Sequence, residues 1–275
     1  MSEVVVPGRL RPRWKYRSIA EVVVQQSVAY RASTAMSVVL TFFWVVILYY
    51  MWRSAYAGQA SIAGLGWDDM RTYIVLAFAL NALVGWRVGS GMMATIRSGD
   101  VLLDFVRPLN YAATQVAKGV GGAVIEGIAS LAITLVIGLV WLRISPPASV
   151  PAALLFVVAV VLGFLTKLMI VFLVSLLVFW TQSGIGLMWS QQAVIQILSG
   201  TIVPLALMPG WLRVVAEVMP MRGIASTPAL IYLGQASGAD ALRLLGLQAG
   251  WLAVLVVLAN LAWRRAFDAV EIQGG

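Results

Sequence analysis

The sequence predicts an all-α membrane protein: six transmembrane helices, an N-terminal interfacial helix, a short polar helix after span two and a re-entrant helical hairpin before span six. Three observations carry that expectation. The 275 residues are 61% hydrophobic and 11% charged, with mean hydropathy +0.92, whereas soluble domains are about half apolar and about a quarter charged. A helix needs about 20 apolar residues to cross a bilayer, and six runs fit, at about 34–54, 70–90, 119–141, 152–179, 186–207 and 245–263. Two further stretches break the apolar pattern: a polar island at Arg97–Asn110 and a proline-broken apolar segment at Pro204–Gly234.

Composition also excludes chemistry. Neither cysteine nor histidine occurs, so disulfides, thiolate nucleophiles, histidine metal sites and histidine acid–base catalysis are excluded. The net charge of +8 does not point to nucleic acid, because the cations cluster at the ends of apolar runs. There they act as an orientation signal. With six spans both termini share a side, which carries twelve Lys and Arg against six on the other. That excess places both termini in the cytoplasm. Arg9–Arg17 lead into a mixed polar segment rather than a short apolar core, so no signal peptide is expected.

In chain order, residues 14–31 put Ile19, Val22, Val23 and Val24 on one face, with Trp14, Tyr16 and Tyr30 near the ends and Lys15, Arg17 and Arg31 flanking. Aromatic and basic ends suit a helix lying among lipid headgroups; a cytosolic helix with a solvated face is the alternative. Span one is aromatic at its outer end, with Tyr49, Tyr50 and Trp52 forming an interfacial belt. A short outer loop with Gly64 and Gly66 leads to Asp68 and Asp69, which begin span two.

The island RSGDVLLDFVRPLN reads as a short helix offering Leu102, Leu103, Phe105 and Val106 on one side and Asp100 and Asp104 on the other. Asp100 lies near the helix start, where the dipole favours an anion, and Pro108 stops the helix. Such a helix between spans is a place for a partner to grip. Thr181–Gly186 allows only a tight turn between spans four and five. Pro204–Gly234 is too broken to span and too apolar for a plain loop. Two short helices, about 210–218 and 224–233, are expected to dip into the outer leaflet. Broken backbone at that depth is tolerated where protein covers it or where it lines a cavity. Pro204, Pro209, Trp211 and Pro220 therefore mark a candidate outer gate.

Two ionisable groups fall within spans, where such groups are functional candidates by default. Glu126 lies about 10 Å inside the inner boundary marked by Lys118, at about 1.5 Å per residue, and Lys167 reaches a matching depth on the next helix. An intramembrane pair holding two helices in register is the favoured reading, a proton relay the other. Trp189, Gln192, Gln196 and Gly200 share one helical face of span five. The stripe serves either as interhelical hydrogen bonding or as the lining of a translocation path. Asn81 and Asn260 read as helix–helix contacts.

An interfacial N-terminal helix, a polar helix after span two and a broken hairpin before span six together resemble the permease subunit of a bacterial type-2 ABC exporter. More narrowly, RSGDVLLDFVRPLN resembles the pattern basic–x–Gly–x–Leu–Asp…Arg-Pro-Leu-Asn of a branch usually paired with a second permease and a separate ATPase, though Val101-Leu102-Leu103 shifts its Leu–Asp step. AYRASTAM before span one and GWDDMRTY before span two fit the same branch. The resemblance covers essentially the whole chain and implies a single permease domain over 1–275, with the N-terminal helix in 1–32, a coupling-helix loop at 93–110 and the hairpin at 204–234. It implies that Gly99, Asp100, Leu103, Asp104, Arg107 and Pro108 fit a groove of the ATPase. It tips the span-five stripe towards a path, because that span lies near the dimer axis in such exporters.

The resemblance further implies a transport subunit that holds no cofactor and catalyses no reaction of its own, and no G-x-x-x-x-G-K-[ST] phosphate loop occurs. ATP and Mg would be bound by partner ATPase subunits, two per complex, beside a second permease, identical or related. The cargo implied is lipid-like, peptide or drug-like and moves outward across the bacterial inner membrane. An ion-gradient-driven secondary transporter is the alternative, but it calls for paired broken helices and several midplane acids. A membrane enzyme on lipid-linked substrates calls for clustered acids or histidines.

Overall fold

The computed structural model describes residues 31–98, 111–122, 127–181 and 184–273. The N-terminal helix expected before Arg31, the island residues Gly99, Asp100, Leu103, Asp104, Arg107 and Pro108, and Glu126 lie outside the described residues.

Helix α1 (Arg31–Ala55) runs for 25 residues without proline or glycine. At about 1.5 Å per residue it can cross a hydrocarbon core of about 30 Å. It buries Val45 and Leu48 but leaves Phe43, Trp44, Ile47 and Tyr50 about half exposed. The same pattern recurs at Val136 and Leu139, at Val157 and Val161, and at Val254, Val257 and Leu261. Apolar surface of this extent is stable against lipid, not water. Strands β1 (Ser61–Ile62) and β2 (Leu65–Gly66) then pair antiparallel. Ala63 and Gly64, with φ of 50° and 81°, supply the left-handed pair that a tight type I′ hairpin needs.

Helix α2 (Trp67–Ala82) starts with Asp68 and Asp69 in its first turn, at the positive end of the dipole. From Thr72 to Asn81 every residue is buried, as expected of a helix apolar all round. Span two was expected as one helix over 70–90; instead it breaks at Leu83–Gly85 and restarts as α3 (Trp86–Arg97). Gly85 is extended, with φ −74° and ψ 171°. Opposite the break, Gly127 presses so closely that a Cβ there would lie 2.5 Å from the Leu83 carbonyl oxygen. A neighbouring backbone thus occupies the space beside the helix end.

Helices α4 (Tyr111–Gly122) and α5 (Ile128–Val140) occupy the stretch expected as span three, and α4 begins before the expected residue 119. Helix α6 (Val150–Leu176) is capped by Ser149, whose Oγ accepts from the Ala152 N–H at 3.2 Å. A 3-10 turn, Leu177–Phe179, follows it. Helix α7 (Gly184–Leu198) ends well before the expected residue 207. Gly200 takes a left-handed φ of 80°, a conformation that closes helices and that only glycine adopts freely. A 3-10 turn (Leu205–Leu207) begins after Pro204, α8 (Gly210–Val218) after Pro209, and a second turn (Pro220–Gly223) on Pro220 itself. Helix α9 (Ser226–Tyr232) and the long α10 (Gly238–Gln273) complete the chain.

Helix α6 is the centre. It packs against α10, α9, α3 and α7, with Leu168, Phe172 and Leu176 meeting Met92, Met93, Met188, Ile195 and Leu255 in the largest core. A second core joins α1, α2 and the chain after α5 through Val45, Met70, Ile74, Leu142 and Ile144. The segments Val150–Phe179 and Gly238–Arg265 are long and apolar enough to cross a membrane.

Gly163 of α6 lets the 3-10 turn approach backbone to backbone. A Cβ there would come 2.4 Å from the Gly223 carbonyl oxygen. Gly163→Ala is expected to cost about 1–3 kcal/mol through overpacking, read as a lower unfolding temperature in detergent.

Candidate functional site: a cation-floored cleft at the broken helix

The break between α2 and α3 creates the site. The last carbonyls of a helix have no partner within it, and the negative end of the dipole favours a cation. Lys167, on α6 and 2% exposed, meets both needs. Its Nζ donates to the main-chain oxygen and to the side-chain Oδ1 of Asn81. With Oδ1 so engaged, the Asn81 Nδ2 donates to Thr201 Oγ1 at 3.1 Å.

Thr201 belongs to a turn held from several sides. Its hydroxyl lies 2.7 Å from that of Ser199. Tyr73 of α2 donates to the Gly200 carbonyl at 2.9 Å, and Trp52 of α1 donates to the Ile202 carbonyl at 3.2 Å. The Ser226 N–H at the start of α9 reaches the Ser199 carbonyl at 3.1 Å. Gly200 itself has no room for a side chain: a Cβ would lie 2.5 Å from Leu205 and 2.6 Å from the Tyr73 hydroxyl. A continuous set of polar contacts therefore runs from the Lys167 ammonium to the turn that follows α7.

Above Lys167 and Asn81 opens a cleft of about 270 Å³. Leu40, Thr41 and Trp44 of α1 form one wall, Phe78 and Ala82 of α2 with Trp86 of α3 another, and Ser130, Gln192 and Gln196 close it. A second, smaller pocket of about 20 Å³ shares Lys167, Trp86 and Gln192 with the cleft and is lined further by Gly89, Val171, Met188 and Gln191. The Gln191 Oε1 is buried there without a hydrogen-bond partner, as is the hydroxyl of Thr166 beside Lys167. Aromatic walls with a few convergent polar groups are the usual build of a small-molecule site. Here the polar groups are neutral amides and the hydroxyls of Thr41 and Ser130 around one cation. Among the described residues no group of three or more His, Cys, Asp or Glu could hold a metal.

Of the expected path residues, Gln192 and Gln196 line the cleft, with Lys167 at its floor. Trp189 is 64% exposed at the rim and packs its ring 5.0 Å from that of Trp86. Gly200 lies apart, buried in the turn that ends α7. The expected gate residues do not form one cluster by type: Pro204 and Pro220 are buried, Pro209 is exposed, and Trp211 is 72% exposed on α8. Asn81 does join helices, whereas Asn260 donates to Val256 of its own helix at 2.9 Å. Trp86, Thr201 and Tyr73 were not singled out from the sequence. Gly85 carried the one local signal for the break that brings Trp86 to the cleft.

Helices with lipid-type outer faces around a polar, cation-bearing cleft are the build of a membrane protein. The family model described as ABC-2 family transporter protein matches residues 29–274, and the chain belongs to that family. No curated protein matches the chain. Membership makes it an ABC-2 type permease subunit, a membrane protein that is not itself catalytic and that associates with an ABC ATPase.

Proposed function

We propose that the chain is the transmembrane half of an ATP-driven exporter and that its cargo passes through the Lys167 cleft. The observation that carries this reading is the gathering of Lys167, Asn81, Gln192 and Gln196 in one cleft at a helix break. A broken helix inside a membrane bundle is costly unless it lines a cavity. The cleft's aromatic walls and amides suit a lipid-like, peptide or drug-like cargo with an apolar body. Six spans with both termini in the cytoplasm of a bacterial inner membrane accord with the twelve-to-six bias of basic residues.

In this reading Pro204–Gly234 is a re-entrant outer gate, linked to the cleft through Asn81, Thr201 and Ser199. Gly99–Pro108 is the coupling helix. It docks on one of two ATPase subunits that hold ATP and Mg, and a second permease, identical or related, completes the route. The test is ATP turnover by its ABC ATPase co-expressed with and without this chain. Co-purification with turnover that rises several-fold on addition of the permease is expected. An ATPase that neither binds nor responds under mild extraction overturns the reading.

A further inference from the structure

The polar groups of the cleft fall into two sets. Lys167 directs its ammonium to the main-chain and side-chain oxygens of Asn81, and the Asn81 amide is engaged in turn with Thr201. That set holds the end of α2 together. The Gln192 and Gln196 amides and the buried Ser130 hydroxyl line the same cleft and hydrogen-bond to no other described residue. Gln192 and Gln196 stand four apart on α7, so they are neighbours on one face. A carboxamide supplies two donors and a carbonyl acceptor, and a hydroxyl does both. No carboxylate is among the described residues that line the cleft. The second set is therefore neutral, and it can both give and take hydrogen bonds.

Aromatic rings stand beside it: Trp44, Phe78 and Trp86 line the same space. At about 270 Å³ the cleft falls just below the range of about 300–1,000 Å³ usual for drug-sized ligands. It has room for one ring-sized part of a cargo, not for a whole lipid or an extended peptide. Apolar surface continues at its edge, where Leu40 and Trp44 are each 53% exposed. An alkyl chain can lie there. The chemical counterpart of neutral amides next to aromatic rings is a ring with hydroxyls round its edge and C–H groups on its faces. Neighbouring hydroxyls pair with a carboxamide, while the C–H faces cover an indole.

We infer that the cleft binds the uncharged sugar head of an alkyl-chain amphiphile. Gln192, Gln196 and Ser130 bond its hydroxyls, Trp86 covers a ring face, and the chain leaves over Leu40 and Trp44. The inference deepens the reading of this cleft as the cargo route and rests on it. A site built to bond hydroxyls discriminates strongly against analogues that lack them, because its own polar groups are then left unpaired.

The test uses the absence of cysteine from the chain. Ala82→Cys places a thiol on the cleft wall, and Val257→Cys places one on the outer face of α10. The full chain in phosphatidylcholine nanodiscs is labelled with N-ethylmaleimide in the presence of octyl glucoside, octyl phosphocholine or octyl sulfate, each below its micelle concentration. Octyl glucoside is expected to slow Ala82→Cys labelling at least fivefold and the other two less than twofold, with Val257→Cys unaffected by all three. Adding Gln196→Leu should weaken the glucoside effect about fivefold in concentration, the scale of one neutral hydrogen bond, and Gln192→Leu should do the same. Equal protection by all three amphiphiles overturns the inference. So does stronger protection by octyl sulfate, which would make the cation the reader of the cargo. Protection by an octanoyl dipeptide amide equal to that by octyl glucoside would assign the site to peptides, and equal protection by free glucose would remove the alkyl chain from recognition; either overturns it. ATP turnover that still responds to the permease while octyl glucoside gives no protection defeats the sugar assignment alone and leaves the exporter reading in place.

Discussion

Lys167→Met is expected to abolish coupled transport and to lower the stability of the chain by about 3 kcal/mol, because each buried acceptor left without a donor costs about 1–3 kcal/mol. Two acceptors are at stake, the main-chain oxygen and Oδ1 of Asn81. The first belongs to a helix end with no other donor in the chain's own ladder. The second orients the amide that holds Thr201. Thermal unfolding in detergent reads the stability loss, and cargo-dependent ATP turnover reads the function. Asn81→Leu removes the side-chain acceptor, so combining it with Lys167→Met should cost less than the sum of the two. Strict additivity would mean that Lys167 acts elsewhere. The same logic applies to Glu126→Gln: if its combination with Lys167→Met is no milder than the single changes, the two residues do not pair.

Asp104→Arg with Arg107→Glu is expected to reduce permease-stimulated ATP turnover more than tenfold, a loss of about 1.4 kcal/mol or more in coupling free energy. The residues stand three apart in the fourteen-residue island, so on a helix they share a face. Reversing both keeps any pairing between them but inverts the pattern offered to a partner. Intact insertion and an unchanged unfolding temperature would place the defect at the ATPase contact. Wild-type turnover in the doubly reversed chain would remove this segment from the coupling role.

The two short helices of Pro204–Gly234 were easy to see in the sequence, because prolines act through fixed local geometry. Helices expected at about 210–218 and 224–233 occur as Gly210–Val218 and Ser226–Tyr232. Lys167, Gln192 and Gln196 were legible for a different reason: a polar side chain in an apolar run stands out whatever surrounds it. The break at Leu83–Gly85 had only Gly85 as a local signal. Its flanks, LNALVGW, are mostly apolar, and the crowding that accompanies it comes from Gly127, far along the chain. For the same reason Asn81 read as an ordinary contact between helices. Its value as the seat of a buried cation depends on a helix end created by tertiary structure. The early stop of α7 was a missed local signal, since Gly200 followed by Pro204 is a recognisable terminator.

The absence of cysteine from the chain makes one measurement direct. Gln196→Cys introduces a single thiol on the cleft wall, and Val257→Cys places one on the apolar outer face of α10. The rate of maleimide labelling is read in membranes holding the assembled transporter, without nucleotide and in an ATP-trapped state. If cargo passes through the Lys167 cleft, the Gln196→Cys rate changes at least several-fold between the two states while Val257→Cys does not respond. Equal Gln196→Cys rates in both states, in a complex that still hydrolyses ATP, would contradict a route through this cleft.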